Sequence, residues 1–273
     1  MNLQELTALK DKMNTFRPLT MDEIKAIEKD KKIDHIWSSN AIEGNSLSKY
    51  ETAALLETGL TVHGKPFADH LAALDLSRAY DYVQELATGE LPLDEIAIRD
   101  INRLVTYSDD PAKRAAAGQY RQIKVWPNGV KDVHYAEPND IPAKMQDLIS
   151  WYKNAEDKEH PVKLAALLHL KFVTIHPFRD GNGRTARLLM NFELIKYGYL
   201  IINIQPDKDS RSAYMEALRV AQAQDNVAPF ISLVADYEVE ELNERISLLE
   251  RIEKERKFAK GQTRLDQFED HPW

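Results

Sequence analysis

The segment IHPFRDGNGRTAR occupies residues 175–187 and gathers a histidine, a carboxylate, an asparagine between two glycines, and two closing arginines. Glycine is scarce in this chain, at 10 of 273 residues, well under the usual share of about 7%. Two of the ten nevertheless stand one residue apart, at Gly181 and Gly183. Asp-Gly and Asn-Gly pairs signal hairpins when alternating apolar residues flank them. Here the flanks, 161–175 and 184–197, carry apolar residues at the helical period. The segment therefore reads as a tight loop between two helices. Pro177 ends the first by driving His176 away from the α-helical region, and the second begins at Arg184.

Most of the remaining sequence shares that period. Residues 3–16 and 21–37 are amphipathic, with Thr20 placed to cap the second stretch. Ser48 and Glu51 have capping-box spacing, so a helix is predicted from there to Thr58. Helices follow at 69–86 and 93–107, parted by the turn-like Thr88-Gly89-Glu90. Further helices are predicted at 141–153, at 161–175 with Pro161 in its first turn, and at 184–197 with Gly198 as its C-terminal cap. Stretches 210–222 and 228–257 complete the set. The interruption is 118–137, where Tyr120, Ile123, Val125, Val133 and Tyr135 favour strand and Pro127-Asn128-Gly129 supplies a turn. One β-hairpin is predicted there, with arms at 121–126 and 131–135. An isolated hairpin is marginal in water, so it should lean on helices or on a ligand.

The expected organisation is an N-terminal helical region (1–92), a core containing the hairpin (93–205), and C-terminal helices with a polar tail (206–273). The tail from 261 onward is expected to be poorly ordered. There are no cysteines, which excludes thiol catalysis and fits a reducing cytoplasm. The N-terminal residues lack the apolar stretch of a signal peptide. The most apolar segments, 164–170 and 197–204, fall short of the roughly 20 residues a membrane span needs. A net charge of −8 argues against a general nucleic-acid binder. It leaves room for a local cationic pocket.

Helix, glycine-containing loop, then helix N-terminus is an arrangement that binds anions. The first-turn N–H groups lack partners, and glycines let the backbone approach phosphate oxygens. Arg184 and Arg187, three residues apart, project from one side of that turn and can reach one polyphosphate. Asp180 is a hard oxygen ligand where a Mg²⁺ bridging two phosphates would sit. His176, with an ordinary pKa of about 6.5, suits a general base. Phe178 reads as a buried anchor. His169, one heptad earlier, reads as a core histidine, and no tight ligand pair such as H-E-x-x-H supports a metal site with His176 and Asp180. The P-loop pattern G-x-x-x-x-G-K-[ST] is absent.

HPFRDGNGRTAR matches the Fic family motif, H-x-F-x-[DE]-G-N-G-R-x-x-R, at every fixed position, and the likeness extends over about 41–204. The chain thus resembles a family whose members mostly move AMP from ATP to a hydroxyl side chain of a target protein. The resemblance implies an all-α, Fic-type helical bundle with a single β-hairpin flap beside the active-site loop. It implies His176 as the base that deprotonates the acceptor and Asp180 as the holder of Mg²⁺. Gly181, Asn182 and Gly183 would cradle the phosphates, with Arg184 near the β-phosphate and Arg187 at the γ-phosphate. The implied chemistry is in-line attack on the α-phosphorus with pyrophosphate leaving, resting on positioning and charge stabilisation. Gly118-x-Tyr120-Arg121 is similar to the lead-in to the family's flap, which aligns a target segment by strand addition. Lys124, Val125 and Trp126 are the docking residues this implies.

Residues 38–45, SSNAIEGN, read alone as a helix C-terminus with Gly44 as cap and Glu43 solvated. They are also similar to the family's inhibitory pattern, [ST]-x-x-x-E-[GN], starting at Ser39. That likeness implies an ion pair between Glu43 and Arg187 formed in cis. A carboxylate there would remove a γ-phosphate partner and put negative charge where ATP needs positive. Other readings stay open: a different nucleotide donor, AMP removal with Glu43 positioning water, or a non-catalytic nucleotide-binding regulator. Base choice is expected to lie near the flap and around 197–203. The expected partners are ATP and a hydroxyl-bearing target protein, without membrane or nucleic acid. A homo-oligomer is left open.

Overall fold

The computed structural model describes residues 3–16, 19–89, 91–107, 111–127 and 130–269, apart from the side chains of 21, 111–113 and 258–269. The helices are α1 (Leu3–Asn14), α2 (Met21–Ile42), α3 (Lys49–Thr58), α4 (Phe67–Thr88), α5 (Glu95–Val105) and α6 (Pro111–Ala116). A 3₁₀ turn at Pro138–Asp140 then leads into α7 (Ile141–Ala155), α8 (Pro161–Ile175), α9 (Asn182–Lys196), α10 (Lys208–Gln224) and α11 (Ala228–Glu269). Local chemistry accounts for most of the boundaries. Thr20 and Ser48 each form a complete capping box, with Glu23 and Glu51 respectively, satisfying first-turn donors that the helix itself cannot. Gly198, in the left-handed region, closes α9 by donating to the Ile195 carbonyl at 2.9 Å.

Helix α2 runs unbroken to Ile42, joining the stretch 21–37 to the helix C-terminus read at 38–45, because Ile36, Ser38, Ser39, Asn40 and Ile42 all find buried places. Three helices depart from expectation. Helix α9 begins at Asn182 rather than Arg184, with Gly181 as its N-cap. The short α6 carried no periodic signal. Helix α11 continues past 257 to Glu269, through the stretch expected to be poorly ordered. A lone glycine costs a helix only about 1 kcal/mol, and Pro272 comes too late to break it. Residues 270–273 lie outside the described set.

The helices surround a central pair. Helices α8 and α9 run along each other, α4 and α5 cover α9, and α7, α10 and α11 surround α8. Helix α1 lies on α11, and α2 touches α3, α4 and α9. One apolar cluster extends from Leu6 on α1 to Leu242 on α11. Among the described residues, no helix is long and apolar enough to cross a membrane.

The predicted β-hairpin is not a paired ladder. Among the described residues, 121–127 and 130–137 are irregular, with bends at 122–123 and 131–132, and form no strand. The one bridge there is antiparallel and joins Tyr120 to Phe178. The expected turn residues Asn128 and Gly129 lie outside the described set. The cause is a competing partner. The Arg121 guanidinium donates to the Ile123 carbonyl at 2.8 Å and to the Ala136 carbonyl at 2.5 Å, so it joins the two arms itself.

Candidate active site

Helix α8 stops at Ile175, and His176 caps it in the left-handed region, with φ 53° and ψ 57°. Such a backbone costs a non-glycine residue roughly 1–2 kcal/mol, and strain of this kind gathers at functional sites. The His176 N–H still bonds the Phe172 carbonyl, at 3.0 Å, while Pro177 prevents a further turn. The strained residue is therefore aimed by the end of a buried helix.

The loop that follows is braced by its own side chains. Asn182 Oδ1 accepts from the Phe178 N–H at 3.0 Å, and its Nδ2 donates to the Phe178 carbonyl at 2.8 Å. Its amide thus closes the loop, so its contribution to an anion site is the shape of the backbone. Phe178, 1% exposed, packs on Tyr120 and Phe172 with ring centroids 5.6 and 6.1 Å away. Gly181 adopts φ 77°, and a Cβ there would stand 2.5 Å from the Thr106 methyl. Only glycine fits.

No side chain caps the N-terminus of α9. The Glu43 carboxylate lies directly over its first turn, and a Cβ on Gly183 would collide with it. Glu43 Oε1 accepts from Arg187 Nη2 at 2.8 Å. Arg187, 3% exposed, also donates from Nη2 to the Ser39 carbonyl and from Nε to Ser39 Oγ, both at 2.8 Å. Desolvation alone would raise the Glu43 pKa, but Arg187, with Arg184 and Arg211, outweighs it and holds the carboxyl below its ordinary value. Glu43 is therefore a carboxylate at neutral pH, resting where the loop would take an anion.

Arg184 is nearly buried. It reaches the Val105 carbonyl at 3.4 Å and Asp180 Oδ1 at 3.5 Å, and its Nε has no partner. Asp180 itself is 78% exposed, with Oδ1 accepting from the Gly181 N–H at 2.6 Å. The His176 ring lies flat against Tyr135, centroids 3.8 Å apart and planes 12° apart. Its Nδ1 is 3.4 Å from the Val173 carbonyl. A carbonyl only accepts, so Nδ1 carries the proton and Nε2 keeps its lone pair. Burial is the main cause that lowers the His176 pKa to about 4; Arg121 adds to it, while the Val173 carbonyl, Glu43 and Asp180 oppose it. The imidazole is neutral at pH 7 and able to accept a proton.

His176, Asp180, the 181–184 backbone, Arg187, Ser39 and Glu43 thus meet at one end of the α8–α9 pair. Lys124, Val125 and Trp126 lie on the first arm, where Trp126 is 65% exposed and Lys124 pairs with Glu137 on the second arm. Residues 197–203 do not join them. Tyr199, Ile201, Ile202 and Asn203 are buried, and Asn203 Oδ1 meets His35 Nδ1 at 3.0 Å. His169 is a core residue too, 3.0 Å from the Tyr214 hydroxyl.

Three contributors escaped the sequence reading. Asn102 on α5 ties the loop to the lead-in of the arms. Arg121 donates to the His176 carbonyl at 2.8 Å. Tyr135 covers the imidazole. Two carried a signal: Asn102 is a polar residue on the apolar face made by Ile98, Ile101 and Val105, and Arg121 stands in the Gly118-x-Tyr120-Arg121 lead-in.

The profile described as the Fic/DOC family matches residues 92–194. The chain is 38% identical over 218 residues to a protein adenylyltransferase Fic from Aedes aegypti, covering 78% of this chain and 41% of that protein. A counterpart from Culex quinquefasciatus is 39% identical over 219 residues with the same coverage. The chain thus spans about two fifths of the length of these curated relatives. Among solved structures, a Fic domain containing signaling protein from Bacteroides thetaiotaomicron is 30% identical with TM-score 0.79, covering 92% of this chain and 98% of that one. Fic-1 from C. elegans has TM-score 0.81 at 26% identity, covering 91% of this chain and 72% of that one.

Proposed function

The chain belongs to the Fic/DOC family, and from that premise we propose that it transfers AMP from ATP to a hydroxyl side chain of a protein and is held inactive by its own Glu43. One observation carries this reading. The Glu43 carboxylate, bonded to Arg187 at 2.8 Å, lies on the uncapped N-terminus of α9 as an anion would. A site that holds a carboxylate through a guanidinium beside an uncapped helix N-terminus has the chemistry to take a phosphate. Charge and space there cannot serve both at once.

The transfer step uses groups already described. The acceptor hydroxyl gives its proton to His176 Nε2 as its oxygen bonds the α-phosphorus. The bond from that phosphorus to the bridging oxygen breaks, and pyrophosphate leaves with the electron pair. Arg184 and Arg187 hold the departing charge. Asp180 fits a magnesium ion, since its carboxylate faces solvent beside the loop. Among the described residues, no three histidines or carboxylates gather into a cage, so an ion there would be held largely by substrate oxygens and water. Bound in that way, it would neutralise phosphate charge. The first arm, with Lys124, Val125 and Trp126, supports docking of a target segment by main-chain pairing, because no strand of the described chain occupies it.

The test compares the chain with its Glu43→Gly variant, each given magnesium and one nucleoside triphosphate at a time, with intact mass as the readout. We expect one adenylyl group on the protein with ATP, at a rate raised roughly tenfold or more by the substitution, equivalent to about 1.4 kcal/mol of recovered nucleotide binding. Adding His176→Ala should abolish transfer while ATP still binds. An unchanged rate without Glu43 would remove the inhibitory role, and mass from another nucleotide would reassign the donor.

A further inference from the structure

Tyr135 sits where the second arm meets the strained end of α8, and Arg121 holds the two together. The Arg121 side chain, 3% exposed, donates from Nε to the His176 carbonyl at 2.8 Å and from Nη2 to the Ala136 carbonyl at 2.5 Å. Its third bond, at 2.8 Å, goes to Ile123 on the first arm. The peptide after Ala136, one residue beyond Tyr135, and the peptide after His176 are therefore pinned to one rigid, planar guanidinium. The Tyr135 ring lies on the imidazole at 3.8 Å and 12°.

The imidazole needs such a partner. Its one hydrogen bond, from Nδ1 to the Val173 carbonyl, is 3.4 Å long, too long to fix the ring against rotation. A general base must stand within hydrogen-bond reach and in line with the proton it takes. A stack covers the face of the ring and leaves its edge, where the nitrogens lie, uncovered. Resting on the transfer reading above, we infer that Tyr135 is a positioning residue for His176, holding the imidazole flat and out of water so that Nε2 meets the acceptor hydroxyl. The arms then do two tasks at once: the first arm offers backbone to the target, and the second sets the base.

The groups facing the imidazole are Arg121 and Tyr135 from the arms, Glu43 from the end of α2, Asp180 from the loop and the Val173 carbonyl from α8. Removing Tyr135 leaves Arg121 and Asp180 in place, whether or not Glu43 is present, and admits water to the ring face. Water restores solvation of the protonated form, so the imidazole should titrate closer to its ordinary range.

The experiment uses the full chain carrying Glu43→Gly, with Tyr135→Phe, Tyr135→Leu and Tyr135→Ala added singly. Each variant is followed by NMR titration of the His176 ring nitrogens, by kcat and KM for transfer, and by binding of a non-hydrolysable ATP analogue. We expect Tyr135→Ala to move the His176 midpoint up by at least one pH unit and to lower kcat tenfold or more, with analogue binding within twofold. Tyr135→Leu should fall between, and Tyr135→Phe should restore most of the rate. A His176 midpoint and kcat unchanged in Tyr135→Ala would overturn the assignment. So would a Tyr135→Phe variant as slow as Tyr135→Ala, since the hydroxyl and not the stack would then matter. If no variant transfers a nucleotide but the midpoint moves as stated, the transfer reading fails and the contact with His176 stands.

Discussion

Asn102 commits its whole amide to two segments far from it in the chain, the loop and first turn of α9 and the stretch at Gly118. Its Nδ2 donates to the Asp180 carbonyl at 3.0 Å and to Thr185 Oγ1 at 3.2 Å, and its Oδ1 accepts from the Gly118 N–H at 3.2 Å. At 1% exposure, no water can replace these bonds. Asn102→Ala would strand a buried carbonyl and a buried N–H, at about 1–3 kcal/mol each. We expect a loss of roughly 2–4 kcal/mol in denaturant unfolding and weaker ATP binding, because the loop that presents the anion site loses its outside brace. Wild-type unfolding in that variant would show that the loop is held by Asn182 alone. His176 illustrates the opposite case, in which a costly backbone conformation persists because Pro177, Arg121 and the helix behind it leave no alternative.

Helix α9 carries two different functions along its length. Its N-terminus is the proposed phosphate site, while its last turn buries Glu193 at 0% exposure. Glu193 Oε2 accepts from the Tyr152 hydroxyl on α7 at 2.8 Å, and Oε1 has no partner. Burial is the main cause that raises its pKa to about 7, with Glu156 adding to it and Tyr152 and Lys196 opposing it. A carboxyl raised in the folded state stabilises fully below its unfolded pKa, about 4.5, and loses that contribution as pH rises through 7. Glu193→Gln keeps the shape and the acceptor but cannot ionise. Its stability relative to wild type should therefore rise by roughly 1.4 kcal/mol per pH unit across that window. Denaturant melts at pH 5, 6 and 7 would read this, and a constant difference would mean that the carboxyl stays charged. Helix α2 is likewise divided. Its first turn is capped by Thr20, and its last residue, Ile42, gives its carbonyl to Arg211 at 3.2 Å, which steadies the helix end that presents Glu43.

The two ends of the chain close the molecule. Helix α1 lies along α11 and inserts Leu6, 0% exposed, into the common core. Lys10 donates to the Tyr197 carbonyl and Lys12 pairs with Glu250, each at 2.9 Å. Exposed pairs of that kind contribute little, so docking of α1 depends on its apolar stripe. Leu6→Ala should cost about 2–5 kcal/mol, and a chain of this size loses about 2–4 °C of melting temperature per kcal/mol. A melt within a degree of wild type would show that α1 docks without Leu6. The same long-range closure explains the misread segment at 118–137. Strand propensity and a turn signal were present, but a guanidinium satisfied carbonyls on both arms.

Read alone, the sequence determined what depends on neighbours within a few residues. A loop after His176, the capping boxes at Thr20 and Ser48, the stop at Pro177 and most helices follow from backbone groups and caps close in the chain. Helix α9, however, starts at Asn182, two residues before the expected Arg184. The sequence also pointed to the anion-binding role proposed for residues 176–187. Only the tertiary structure decided that Tyr135 lies on His176, that Arg121 joins the two arms and that Asn102 braces the loop. The Glu43–Arg187 pair, spanning 144 residues, was implied by the family resemblance and not by any local pattern. Periodicity records which face of a helix is apolar. It does not record which of several acceptors a buried donor meets, because that choice is made by the packing of segments far apart in the chain.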